Sequence, residues 1–158
     1  YNADGSDGGR EWIEIYNNGD AAVDISGWDF KDEDDPGQTD PIPGGTSIGP
    51  GDALVLIEDQ TIFETDWGTG INLLVLPGIG TTLNLANSPV NPGNEVLMLR
   101  DSSDVVVDTV DYDDDPPWPP DSPNETSIYV LPGKLTAADN DLGENCRRPG
   151  FLPNKGPG

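Results

Sequence analysis

The chain has 158 residues, a net charge of −23 from 7 Lys and Arg against 30 Asp and Glu, no His and one Cys. That length suits one domain with a real core and is short for two. The composition excludes His-activated nucleophiles, His-ligated zinc, an internal disulfide and CxxC metal knuckles, while the negative field opposes direct nucleic-acid binding.

Helical periodicity is nearly absent, and short β-rich runs recur between Gly, Pro, Asn and Asp clusters, the pattern of an all-β chain. Glu11–Tyr16 alternates, with Ile13 and Ile15 on one face and Trp12, Glu14 and Tyr16 on the other. Asn17–Asp20 is a turn, Ala22–Ile25 a short strand, and Trp28–Lys31 another after Ser26-Gly27. Asp32–Gly45 reads as an acidic loop, Thr46–Ile48 as a short strand and Gly49–Asp52 as a tight turn. Ala53–Glu58 is apolar almost throughout and should be central. Residues 59–70 read as a loop carrying Trp67. Asn72–Leu76 and Thr82–Leu85 are short strands, and Asn87–Asn94 is a turn. Glu95–Arg100 and Val105–Tyr112 flank Asp101–Asp104 as a hairpin, and Thr126–Leu131 is the last clear strand. Residues 113–124 and 132–158 are Pro/Gly/Asp-rich and read as irregular. These elements predict an antiparallel β-sandwich of about eight or nine short strands with Ig-like connections over residues 1–131, and a tail over 132–158 packed on it or extending from it.

The acids outnumber any possible cationic partners. No base lies between Lys31 and Arg100 against eleven acids, and none between Arg100 and Lys134 against eight Asp and one Glu. Self-repulsion on this scale destabilises a compact state, so calcium or high salt is expected to screen it. The preference for 22 Asp over 8 Glu suits turns and the oxygen-rich loops that hold calcium.

Four acidic segments are candidate calcium sites, each weighed against an ordinary solvated turn. Asp4 and Asp7 sit in a Gly-rich opening, without the spaced bidentate Glu of an EF-hand. Asp29, Asp32, Asp34 and Asp35 crowd one stretch, with Lys31 as one partner and Asp40 nearby. Asp111, Asp113, Asp114 and Asp115 precede four prolines that restrict the backbone. Asp139, Asp141 and Glu144 include an Asp-x-Asp-x-Gly fragment. Paired carboxylates can serve glycoside hydrolysis, but here they fall in turns, so no catalytic residue is expected. Trp118 among its prolines is either a packed edge residue or a partner contact; Trp12, Trp28 and Trp67 pose the same choice between core and a sugar-binding face. Cys146 is a buried thiol or the half of a pair with another chain or with a segment outside this sequence, and Asn124-Glu125-Thr126 meets the N-glycosylation pattern.

Several segments fall in a familiar order: Gly5–Asn17, Asp24-Ile25-Ser26-Gly27-Trp28, Ile48-Gly49-Pro50-Gly51-Asp52, Leu83-Asn84-Leu85-Ala86-Asn87, Glu95–Asp101 and Val107–Tyr112. Together they resemble the lamin tail domain in its prokaryotic secreted or surface form, over roughly residues 1–131, and Cys146 with Pro149-Gly150 and Pro153-Asn154 resembles the tail that often closes such domains. The resemblance implies an Ig-like sandwich without a catalytic residue, carried by secreted or surface proteins and sometimes appended to hydrolases such as nucleases. It also implies a short apolar strand before Tyr1, here truncated, processed away or supplied by another chain, and an Arg late in the last strand, where this chain has Ser127–Val130.

The expected function is a non-catalytic extracellular structural or adhesion module, calcium-stabilised and able to assemble into a surface layer or filament by edge-strand pairing with another protein copy. The competing expectation is an accessory domain of a secreted hydrolase that binds polysaccharide or a metal-bridged anion. No run of 18 apolar residues is present, so no membrane insertion is expected. No basic-then-apolar leader opens the chain, so any signal peptide is expected to have been removed.

Overall fold

The computed structural model describes residues 8–32, 39–83, 95–113, 115–119 and 127–147. Alternating sequence gives the long strands. In Glu95–Arg100 (β7) every second residue is buried, and Val106–Tyr112 (β8) returns antiparallel to it after the expected turn at Asp101–Asp104. β7 also pairs antiparallel with Asp29–Asp32 (β3), giving a sheet in the order β3-β7-β8. The second three-stranded sheet joins Trp12–Tyr16 (β1), Ala53–Ile57 (β5) and Leu73–Val75 (β6) in the order β1-β5-β6. Val23–Asp24 (β2) and Ser47–Ile48 (β4) form a short ladder.

The main core lies between the two larger sheets. Ile13, Ile15, Leu54, Leu56 and Leu74 from one meet Phe30, Leu97 and Leu99 from the other, and Ile25, Ile42, Ile48 and Ile79 join them. Each fully buried side chain of this kind contributes about 1.5–3 kcal/mol. Asn17, after β1, fastens the β1 end to the chain around β4: its Nδ2 donates to the carbonyls of Ala21, Ile48 and Gly49 at 2.8–3.0 Å.

The segment 59–70, expected as a loop, instead holds helix α1, Gln60–Trp67. Asp59 caps it by accepting the Ile62 amide at 3.0 Å, and Gly68 ends it at φ +91°, a conformation open to glycine. The helix covers the outer face of the β1-β5-β6 sheet, where Phe63 packs with Val55, Ile57, Trp12 and Trp67. This explains why β5 is apolar throughout: Leu54 and Leu56 face the main core while Val55 and Ile57 face α1. The all-β, Ig-like sandwich expected from the sequence holds, mostly antiparallel, with one parallel pair: the α1 crossover returns the chain so that β6 runs alongside β5 in the same direction. The expected strand at Thr82–Leu85 is likewise corrected within the described residues: Ile79–Leu83 is a π-helical turn that buries Ile79 and Leu83.

Beyond β8, the chain builds a small second layer. Tyr129–Val130 (β9) pairs antiparallel with Cys146–Arg147 (β10), which follows a 3-10 turn at Gly143–Asn145. Tyr112, Trp118 and Cys146 form its buried cluster, with Val110, Ile128 and Val130 against it. Residues 132–147 thus fold back across the boundary expected at 131. Among the described residues, no helix is long and apolar enough to cross a membrane.

Candidate functional site

The carboxylates are where function was expected, and the described ones divide by what they touch. Asp29 sits opposite Arg100 on β7 and accepts two bonds from its guanidinium, at 2.8 and 2.7 Å. A bidentate arginine occupies both oxygens, so the structure gives Asp29 a cationic side-chain partner. Asp32, at the end of β3, is buried at 8 % exposure. Asp4, Asp7, Asp34, Asp35 and Asp114 lie outside the described residues, as does Asn124.

Several Asp side chains serve the turns. Asp24 Oδ1 accepts the Ser26 amide at 2.9 Å, and hydrogen bonding from Ser26 holds this carboxyl below its ordinary value. Asp101 Oδ1 takes the amides of Ser103 and Val105 across the hairpin, and Asp113 Oδ1 takes that of Asp115. Short carboxylates suit these closures because they reach a backbone N–H two residues on. Turn chemistry thus accounts for part of the surplus of Asp over Glu.

A denser arrangement forms where the segment 136–145 meets β8. Asp108 lies on the same face of β8 as Val110 and Tyr112, and is half-buried. Its Oδ1 accepts the Thr109 amide at 2.9 Å and its Oδ2 accepts Asn140 Nδ2 at 2.8 Å. Burial raises the Asp108 carboxyl above its ordinary value; the bonds from Asn140 and Thr109 oppose that rise, and the charge of Asp141 adds to it. Asp141 Oδ1 accepts the Asp111 amide at 3.3 Å. Asp139 takes the Thr136 hydroxyl at 2.7 Å, the Asn145 amide on its backbone oxygen at 3.0 Å, and Lys134 Nζ at 3.8 Å. The Glu144 backbone oxygen accepts Arg147 Nη1. The buried Asn140 Oδ1 has no hydrogen-bond partner.

The structure therefore joins Asp111 to Asp141, pairs Asp108 with Asn140, both of which the sequence reading passed over, and holds Asp139 in the same turn segment through Thr136, Asn145 and Lys134. The signal for Asp108 was an acid at an inward position of an alternating strand. Among the described residues, no group of three or more His, Cys, Asp or Glu side chains is arranged to hold a metal ion. These carboxylates are instead drawn onto amides and onto Arg100 or Lys134.

Trp118, read from the sequence as a packed edge residue or a partner contact, is turned inward at 9 % exposure against Tyr112 and Cys146. Trp12 and Trp67 meet edge to face, with centroids 5.6 Å apart, and Trp28 packs on the main core. None of the four tryptophans is exposed as a flat platform. Cys146 is buried, and burial pushes its thiol up, which keeps it protonated and unreactive at neutral pH.

Comparison with known proteins agrees with this architecture. The family model described as Lamin Tail Domain matches residues 1–114. No curated protein matches the chain.

Proposed function

Since the chain belongs to the lamin tail domain family, we propose that it is a non-catalytic structural and adhesion module of an extracellular or cell-surface protein, with calcium screening its acidic surface. One observation carries this reading: many of the described carboxylates close turns, cap helix α1 or pair with Arg10, Arg100 or Lys134, while a net charge of −23 remains. A domain with that charge gains stability from cations in its surroundings. The inward packing of the tryptophans supports an adhesion and spacing role over a carbohydrate-binding one, since sugar recognition of that kind uses exposed rings.

Thermal melts in calcium, in magnesium, in EDTA and in NaCl of matched ionic strength test the calcium part. Calcium is expected to raise the midpoint beyond matched NaCl, through preferential binding to the folded state. An equal response to every salt assigns the effect to screening and removes calcium from the reading.

A further inference from the structure

β8 is the outermost strand of its sheet among the described residues, with β7 as its one partner strand. The amides on its outer side are occupied by carboxylates rather than by a strand: Thr109 donates to Asp108 Oδ1 at 2.9 Å, and Asp111 donates to Asp141 Oδ1 at 3.3 Å. Next to this closed stretch, Val105, Val106 and Val107 are 58 %, 47 % and 45 % exposed. A bulge lies there, opposite Arg100. Three consecutive exposed valines at the open side of a sheet offer an apolar anchor, and sheet edges of this kind accept added strands.

We propose that the edge formed by Val105 and β8 up to Asp111 is a docking edge for an extended cationic segment of another protein, kept closed in the free chain by Asp108 and Asp141. The occupant follows from charge. Asp104 is exposed, Asp108, Asp111 and Asp141 line the same strand or the turn beside it, and the whole chain carries −23. A second copy brings the same charge and is repelled, whereas a strand alternating Lys or Arg with apolar residues is attracted. Its cations take over the carboxylates, its carbonyls accept the amides of Thr109 and Asp111, and its apolar side chains cover the valines. The partner's carbonyls replace charge-assisted acceptors with neutral ones, and the ion pairs between its cations and the released carboxylates offset that loss. The inference deepens the adhesion reading by naming a class of partner and rests on that reading for its context. The calcium melts test that reading independently, so the two fail separately.

The test is isothermal titration of the full chain with an acetylated, amidated heptapeptide of alternating Lys and Val. Two further peptides serve as probes, one of alternating Glu and Val and one of the same charge with its central Val replaced by Pro. The Lys/Val peptide is expected to bind, the Glu/Val peptide not to bind, and the Pro-containing peptide to bind at least about tenfold more weakly. Thr109→Pro removes an outward donor while sparing the β7 ladder, and Val107→Lys adds a like charge; each is expected to weaken binding at least about tenfold, with native circular dichroism confirming the fold. Equal binding of the Pro-containing peptide, or unchanged binding by both folded variants, reduces the effect to general charge attraction and overturns the proposal. Sedimentation velocity without peptide provides another check: a dimer abolished by Thr109→Pro makes a second copy the occupant and also overturns it.

Discussion

Asp29 and Arg100 stand directly opposite each other across β3 and β7, and the guanidinium holds the carboxylate with two bonds of 2.8 and 2.7 Å. Their side chains are 8 % and 12 % exposed. Arg100 is raised above its ordinary value, chiefly by the hydrogen bonds to Asp29. In a sequence where acids greatly outnumber bases, this is where a base is spent on a shielded acid. Arg100→Met is expected to lower stability by about 2 kcal/mol in urea denaturation, because it leaves the Asp29 carboxylate shielded without its partner. Asp104 also reaches Arg100, at 3.5 Å, but is 80 % exposed. Asp104→Asn keeps a side chain tolerant of the positive φ there and is expected to cost less than about 0.5 kcal/mol.

The Asp108 network gives a pH-dependent prediction. Burial lifts this carboxyl above its ordinary value on folding, so its protonated form favours the folded state. The contribution is full below the ordinary aspartate value and is lost as the pH rises through the raised folded value. Acidifying through that window is expected to raise the melting midpoint of the wild-type chain relative to Asp108→Asn, in which the group cannot titrate. The many other carboxylates titrate in both proteins and largely cancel. Melts at closely spaced pH values check this, and parallel curves would remove Asp108 from the pH response.

Helix α1 is expected to stabilise through its buried face rather than through its length. Phe63 is 2 % exposed and lies 6.1 Å from Trp12 and 6.4 Å from Trp67, centroid to centroid. Phe63→Ala is expected to cost about 3–4 kcal/mol and to shift tryptophan emission to longer wavelength, as two indoles gain water. Asp59→Ala removes the cap on Ile62 and is expected to cost about 1 kcal/mol with little change in emission. Urea denaturation followed by fluorescence separates the two effects.

These elements also mark what the sequence could reveal. β7 and β8 were legible because Leu97 and Leu99 alternate with residues facing the other way, and the turn between them carries Asp101. α1 was not legible from periodicity, since Gln60–Trp67 makes only about two turns and its apolar residues do not repeat cleanly. The readable signals were Asp59 before it and Gly68 after it, a cap and a stop. Ile79 and Leu83 stand four apart, a helical spacing that a strand at Thr82–Leu85 disregards. At the candidate site, the abundance of Asp suited both turns and cation-holding loops, and composition does not choose between them; the structure shows Asp101, Asp113 and Asp141 turning oxygens onto backbone amides. Which carboxylate meets which amide depends on the return of residues 136–145 to β8, a long-range contact that no local pattern encodes.

Trp118 and Gly143 meet so closely that the glycine is required for the space it leaves. A Cβ at position 143 would lie 2.7 Å from both Cγ and the backbone N of Trp118, and 2.9 Å from its Cα. The backbone atoms are also fixed by the bond from Trp118 N–H to the Asp115 carbonyl at 3.0 Å, so the clash cannot be relieved by a rotamer change. Gly143→Ala is therefore expected to push the indole off Cys146 and Tyr112, at about 2–3 kcal/mol. Cys146 is 1 % exposed and is the single cysteine of the chain, so its labelling by a disulfide reagent reports this cluster without ambiguity. Labelling should be slow in the wild-type chain and markedly faster in Gly143→Ala and in Trp118→Ala, with the near-ultraviolet circular dichroism weakened in both. Unchanged labelling in Gly143→Ala would mean that the indole is not what shields the thiol.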